Sequence, residues 1–316
     1  MNIIMVTLKN IYQAKEQISD IINETPILTS TQLTEVCGNK MFFKAEHLQK
    51  TGAFKIRGAT NKVKQVVKDG ATFVTAASSG NHGQAVAYIS NVLGIGATIV
   101  VPEDVNAGKM HAIQSYRGEI EKCGITSAER LPRAEALAKE HHGVYIPPYD
   151  EPFIIAGQGT VGLEIVDQLD DVEAIIVPIG GGGLISGILT AVKETKPSVK
   201  VIGVEPETAN DTLLSLQNGQ ITTIKETQTI ADGLRTSQPG DMTFPIVQKY
   251  VDDIVIVSEE EIRKAQVFVM ERMKQLIEPS SAVAVAAAMF DKLNIRDKNV
   301  ACVLSGGNVD VNKLAF

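Results

Sequence analysis

Short apolar runs rich in β-branched residues recur along the chain, separated by stretches of helical periodicity. They include "TFVT" from Thr72, "ATIVVP" from Ala97, "GVYIPP" from Gly143, "EAIIVPI" from Glu173, "VKVIGVEP" from Val199, "DIVIVS" from Asp253 and "VACVLSGG" from Val300. Strands that are apolar throughout, rather than alternating with polar residues, are buried on both faces. Alternation with helices then predicts an α/β fold: a mainly parallel open sheet with helices on both faces. In such folds ligands bind beyond the carboxyl ends of the strands, so the turns after these runs are where chemistry is sought.

No repeat, low-complexity tract or Pro/Ser linker divides the chain. The proline-dense "IPPYDEP", Ile146 to Pro152, gives the one boundary signal. It predicts a smaller lobe over 69–149 inserted into a larger one made of 1–68 and 150–316.

The 316 residues carry 37 acidic and 30 basic side chains, a formal net charge of -7, with the basic residues scattered. That argues against a nucleic-acid partner. Cys37, Cys123 and Cys302 form no CxxC pair and have no His at metal-ligand spacing, so neither a disulfide framework nor a zinc site is expected, and a reducing cytosol fits. The start "MNIIMVTLKN" has no basic residue ahead of its apolar run and no cleavage site after it, so it reads as a lead-in to a helix rather than a secretory signal. Ala174 to Val192 is uncharged and long enough to raise the question of a membrane span. Pro178 and Gly180 to Gly183 favour a strand, a glycine turn and a helix instead, and no membrane partner is expected.

Four turns carry the chemistry. In "KTGAFKIRGAT", Lys50 to Thr60, Lys55 sits beside Phe54 among glycines, as either a stem packed on apolar surface or an amine tuned for covalent chemistry. After "TFVT", the turn Ser78-Ser79-Gly80-Asn81-His82 offers small hydroxyls and backbone N–H groups at a helix start, suited to an anion or to capping alone. After "EAIIVPI", Gly180 to Gly183 let the backbone approach a ligand and aim N–H groups at it, a phosphate cradle. It is not a P-loop, and Ser186 stands where the dinucleotide fingerprint has its third glycine, so a non-catalytic NAD-binding module remains the rival class. Ser305, Gly306, Gly307 and Asn308 form the fourth, an ordinary turn or part of the same cleft. Separately, Glu205 and Asp211 can supply the oxygen ligands of a divalent cation, or be solvated loop carboxylates.

The segments "EHLQKTGAFKIRGA", "SSGNHGQAVA", "GQGTVGLEI", "VPIGGGGL", "GVEP", "IADG", "VDDIVIVSEEEI" and "LSGGNVD", in this order, resemble the pyridoxal-phosphate enzymes of the threonine/serine dehydratase and serine racemase family, over nearly the whole chain. The resemblance implies a two-domain fold type II enzyme, tryptophan synthase β-like. It implies that Lys55 carries pyridoxal 5'-phosphate as a Schiff base, with Phe54 packed near it, Asn81 on its ring oxygen, Gly180, Gly181, Gly182 and Gly183 at its phosphate, Glu278 near the ring and Ser305 at the pyridine nitrogen. A serine hydroxyl protonates the ring less fully than an aspartate would, which favours elimination over long-lived carbanion chemistry. The family reaction is loss of the β-hydroxyl from L-serine or L-threonine, giving a 2-oxo acid and ammonia.

"SSGNH", rather than "SAGNH", resembles the serine racemases, which makes Lys55 and Ser79 a two-base pair for racemisation. Substrate binding is implied for Ser78, Ser79, Gly80, Asn81 and His82, and on poorly matched flanks for Arg130 and Ser237. "GVEPETAND" resembles the family's divalent-ion loop, with Glu205, the carbonyl of Ala209 and Asp211 binding Mg²⁺, Mn²⁺ or Ca²⁺. Ala282 stands where relatives often have glycine, a departure beside Glu278. The end soon after "SGGNVD" leads to the expectation of no isoleucine-sensing domain. A cytoplasmic homodimer acting on a small amino acid is expected, and an aspartate or 3-hydroxyaspartate racemase or dehydratase is the alternative within the family.

Overall fold

The computed structural model describes residues 6–105, 107–225 and 227–311. Most of the start read as a helix lead-in, Met1 to Met5, lies outside them; the helix Leu8–Ile18 follows, its first turn capped by Thr7.

Ten strands build two sheets. They are β1 (Ile27–Thr29), β2 (Lys40–Lys44), β3 (Phe73–Ala77), β4 (Gly96–Val101), β5 (Glu119–Lys122), β6 (Val144–Tyr145), β7 (Ala174–Pro178), β8 (Lys200–Pro206), β9 (Asp253–Val257) and β10 (Asn299–Val303). The larger sheet has the order β1-β2-β10-β7-β8-β9, and the smaller β5-β4-β3-β6. Every pairing is parallel except β1 with β2.

The apolar runs at the centre of the larger sheet are buried on both faces because helices cover both. Along β7, Ile175 and Val177 point into one core cluster while Ala174 and Ile176 point into the other; along β10, Ala301 and Val303 take the first side and Val300 and Cys302 the second. That is the period-2 alternation of a strand with no solvent face. The stretch Ala174 to Val192 divides into β7, a glycine turn and the helix Gly183–Thr195. No helix among the described residues is long and apolar enough to cross a membrane.

The strand orders place the functional turns. In the larger sheet the chain runs from β7 outward to β8 and β9, then returns to β10 on the other side of β7. In the smaller it runs from β3 to β4 and β5, then returns to β6 on the other side of β3. Each reversal opens a crevice at the carboxyl ends of its two central strands. The first crevice is rimmed by Gly180 to Gly183 and Ser305 to Gly307, the second by Ser78 to Asn81 and Ile146 to Tyr149.

Candidate active site

Lys55 begins the helix Lys55–Lys68, and its turn is stitched to the end of β10. Ala53 bridges Gly306, Phe54 N–H donates to the Ser305 carbonyl at 3.1 Å, and Gly307 N–H donates to the Gly52 carbonyl at 2.9 Å. From there the Lys55 amine reaches the second crevice, donating to the Pro148 carbonyl at 2.8 Å. One side chain thus spans both switch points. Its Nζ lies 5.3 Å from the centre of the Phe54 ring. Burial pulls its pKa from 10.5 to about 8, with the Glu278 carboxyl resisting the fall. An amine so placed holds a substantial neutral fraction near physiological pH, the form that attacks a carbonyl or accepts a proton.

The glycine turn fits a phosphate. Gly182 starts its helix at φ 88° with no side-chain cap, which leaves the first-turn N–H groups without a side-chain partner. The Tyr149 ring lies against Gly181 where any Cβ would stand, so a side chain there would displace the ring or the loop. The loop is braced from behind: Thr243 Oγ1 donates to the Gly181 carbonyl at 2.8 Å, and Asp150 accepts the N–H groups of Asp241 and Met242 at 3.0 and 2.9 Å.

The serine turn also starts a helix without a side-chain cap: Gly80 is the N-cap of Asn81–Leu93, and Ser78 Oγ accepts only from Gly80 N–H, at 3.3 Å. Ser79 occupies the same turn, partly exposed. The His82 side chain turns inward, its Nε2 bonded to the Ile146 carbonyl at 2.9 Å. A backbone carbonyl only accepts, so Nε2 carries the proton and Nδ1 is a lone-pair acceptor. Nδ1 is buried without a partner, and burial, with the Lys55 charge adding, lowers the His82 pKa to about 3. This imidazole is neutral at any working pH.

Asn81 Nδ2 donates to Glu278 Oε1 at 2.7 Å, which joins the serine turn to the start of the helix Pro279–Met289. Glu278 is buried and its pKa rises to about 8, by burial first and by Asp232 second. Ser305 is buried beside the lysine turn. Arg130 is engaged within its own helix start, donating to the Ile125 carbonyl at 2.7 Å and to Ser127 Oγ at 3.2 Å. Ser237 is exposed and accepts Ile224 N–H through its backbone.

Glu205 and Asp211 face each other at the end of β8. Glu205 accepts the N–H groups of Thr212 and Leu213 at 3.0 and 2.9 Å, and Ala209 is buried between the two acids in sequence. Burial and the neighbouring Asp211 raise Glu205 to about 8, and burial raises Asp211 to about 7. Two buried carboxylates left to repel each other suit a hard cation. Among the described residues no cluster of three or more His, Cys, Asp or Glu could hold a metal, so any cation here relies on carbonyl or water ligands besides these two.

A second buried charge cluster escaped sequence reasoning. Arg57, two residues after Lys55, donates to Glu46 Oε2 and Oε1 at 2.8 Å each and to Glu164 Oε1 and Oε2 at 2.6 and 2.8 Å, while Lys44 pairs with Glu164 at 2.6 Å. It joins β2 and the segment "GQGTVGLEI" to the lysine helix. Only the buried charge itself betrays it, and hydrophobic patterning treats a charge as surface.

A family model for "Pyridoxal-phosphate dependent enzyme" matches residues 18–306. The chain is 42% identical over 311 residues to an L-threonine ammonia-lyase of Thermotoga maritima, covering 98% of this chain and 77% of that protein. It is 41% identical over 313 residues to an L-threo-3-hydroxyaspartate ammonia-lyase of Saccharomyces cerevisiae, covering 99% and 96%. Its fold superposes on maize serine racemase with a TM-score of 0.95 at 37% identity, covering 98% and 95% of the two chains. With an amine spanning both crevices and a match over nearly its whole length, the chain belongs to the pyridoxal-phosphate dependent enzymes.

Proposed function

We propose that this enzyme removes water and then ammonia from L-serine and L-threonine, yielding pyruvate and 2-oxobutyrate, and that it also interconverts the serine enantiomers. The observation that carries the reading is the Lys55 amine, shifted to about 8, on a turn stitched to the Ser305 turn and reaching the Pro148 carbonyl in the second crevice. The relatives' activities support it.

Pyridoxal phosphate, when bound, supplies the electron sink for charge developing at the substrate's Cα. Gly180 to Gly183 would hold its phosphate, Asn81 and Ser305 its ring, and Lys55 its carbonyl carbon. Ser78, Ser79 and the N–H groups of the turn from Gly80 to His82 orient the substrate carboxylate. The Lys55 amine, in its neutral form, takes the proton from Cα; transfer of that proton toward the β-hydroxyl helps water leave. Ser79 is the second base, returning a proton from the other face. His82 serves the turn's geometry, since its Nε2–H is spent on Ile146 and it stays neutral. Glu205 and Asp211, with the Ala209 carbonyl, hold a divalent cation away from the chemistry, a reading their mutual repulsion supports. A homodimer in a reducing cytosol completes the proposal; the free Cys37, Cys123 and Cys302 suit such a compartment.

A product screen tests this: L-serine, D-serine, L-threonine, L-aspartate and 3-hydroxyaspartate, following both 2-oxo acid and enantiomer. Keto acid from L-serine and L-threonine, with D-serine formed, is expected. Ser79→Ala should lose interconversion while keeping most elimination of L-serine, and equal loss of both removes its role as second base. The yeast relative supports a second reading, in which turnover is confined to the 3-hydroxyaspartate and aspartate wells.

A further inference from the structure

Asn308 closes the Ser305 turn and has been given no role above. Its Nδ2 donates to the Thr51 carbonyl at 2.7 Å and to Asn81 Oδ1 at 2.8 Å. The direction of this chain is fixed at one end, because the Thr51 carbonyl has no proton to give. Asn308 must therefore present its NH₂ group there, and the second hydrogen of that group goes to Asn81. Asn81 must in turn point its oxygen at Asn308 and its NH₂ at Glu278, which accepts at 2.7 Å. One Asn81 N–H is then committed to Glu278, and the other is available to an acceptor in the crevice.

The close packing leaves little freedom to rearrange. A Cβ on Gly306 would stand 2.6 Å from Glu278 Oε1, so glycine there lets the carboxyl reach Asn81. The Asn308 backbone N–H also lowers the Glu278 pKa against burial, so Asn308 bears on both ends of the Asn81–Glu278 bond. The charged groups around that bond are Lys55, which feels Glu278, and the Lys109–Asp232 pair, 2.6 Å apart, of which Asp232 raises and Lys109 lowers the Glu278 pKa.

We infer that Asn308 is a positioning residue: anchored on the Thr51 carbonyl, it sets the amide orientation of Asn81 and so presents an N–H donor, rather than an oxygen, to the cofactor's ring oxygen. The inference rests on the pyridoxal-phosphate reading. It predicts that donation, not volume, is what position 308 supplies. An aspartate of the same size turns two acceptors toward the Thr51 carbonyl and Asn81 Oδ1, and repels both.

The experiment measures equilibrium uptake of pyridoxal phosphate and the pH titration of the bound cofactor's visible absorbance, for wild type, Asn308→Ala, Asn308→Asp, Asn81→Ala and the Asn81→Ala/Asn308→Ala double variant. Loss of a buried donor predicts cofactor affinity about tenfold weaker in Asn308→Ala and weaker still in Asn308→Asp, each with a displaced absorbance titration. In the Asn81→Ala background, Asn308→Ala should add little, because the two residues act as one unit. Should Asn308→Ala fold poorly, Asn308→Asp retains the volume and carries the test. Wild-type affinity and an unmoved titration in Asn308→Asp, or additive effects in the double variant, would overturn the inference. A wild-type protein that takes up no pyridoxal phosphate would instead overturn the functional reading itself.

Discussion

Lys55 and Arg57 are two cations two residues apart on one helix, Lys55 half-buried and Arg57 fully buried, and they have opposite fates. Burial penalises the charge of both. Arg57 is surrounded by Glu46 and Glu164, which more than offset the penalty and hold its pKa above the usual value. Lys55 donates to the neutral Pro148 carbonyl, and with only the Glu278 carboxyl resisting, its pKa falls to about 8. The more deeply buried cation keeps its charge, so compensation rather than depth decides the outcome. A buried charge that is fully paired fixes structure, and one left unpaired is free to react. The same rule separates Glu164, whose pKa Arg57 and Lys44 bring down against burial, from Glu205 and Asp211, whose pKa values rise.

The contrast is broken most severely at Arg57. Arg57→Met strands Glu46 and Glu164 with one cation, Lys44, between them, and should lower apoprotein stability by about 3–5 kcal/mol. Lys55→Ala removes a cation that nothing pairs, and should leave apoprotein stability within about 1 kcal/mol while abolishing turnover. Urea unfolding of the two variants side by side decides it; similar losses for both would remove the distinction.

The next effect is on pH. The unfolded chain binds a proton at His82 near pH 6.5, whereas the folded state refuses it until about 3. Stability from this neutral imidazole is complete above pH 6.5 and is lost as pH falls toward 3, with a slope up to about 1.4 kcal/mol per pH unit. In His82→Gln, whose amide can still donate to Ile146, that part of the acid slope should vanish from unfolding curves taken between pH 4 and 6.5. An unchanged slope would place the acid sensitivity elsewhere.

The smallest effect concerns the repelling acids. Mg²⁺ at ten times its Kd should stabilise the wild type by about 1.4 kcal/mol, and Glu205→Gln should lose that gain. Equal gains in both would refute the cation site.

How much of this was written in the sequence follows the same division. β3, β4, β7, β8 and β10 announce themselves as apolar runs because they are buried on both faces, whereas β9, an edge strand, is apolar although it exposes Ile256. β2, "KMFFK", has lysine at both ends, and Lys44 is buried by its pairing with Glu164; β5, "EIEK", is a polar edge strand. Neither matches an apolar template. At the site, the glycine and serine turns were legible because their chemistry is local. Arg57 needed Glu164, which lies 107 positions away, and Asn308 needed Asn81, 227 positions away. No spacing rule connects such pairs; the strand order does, by bringing both crevices together.

The central claim is that Lys55, alone among the described lysines, is the amine without an ion-pair partner at the junction of the two crevices. Borohydride reduction of the pyridoxal-phosphate-loaded enzyme, followed by peptide mapping, tests it directly. The account predicts a single modified peptide with the cofactor fixed on Lys55. Modification at Lys44, Lys109 or any other lysine in its place, or no modified peptide at all, would contradict it.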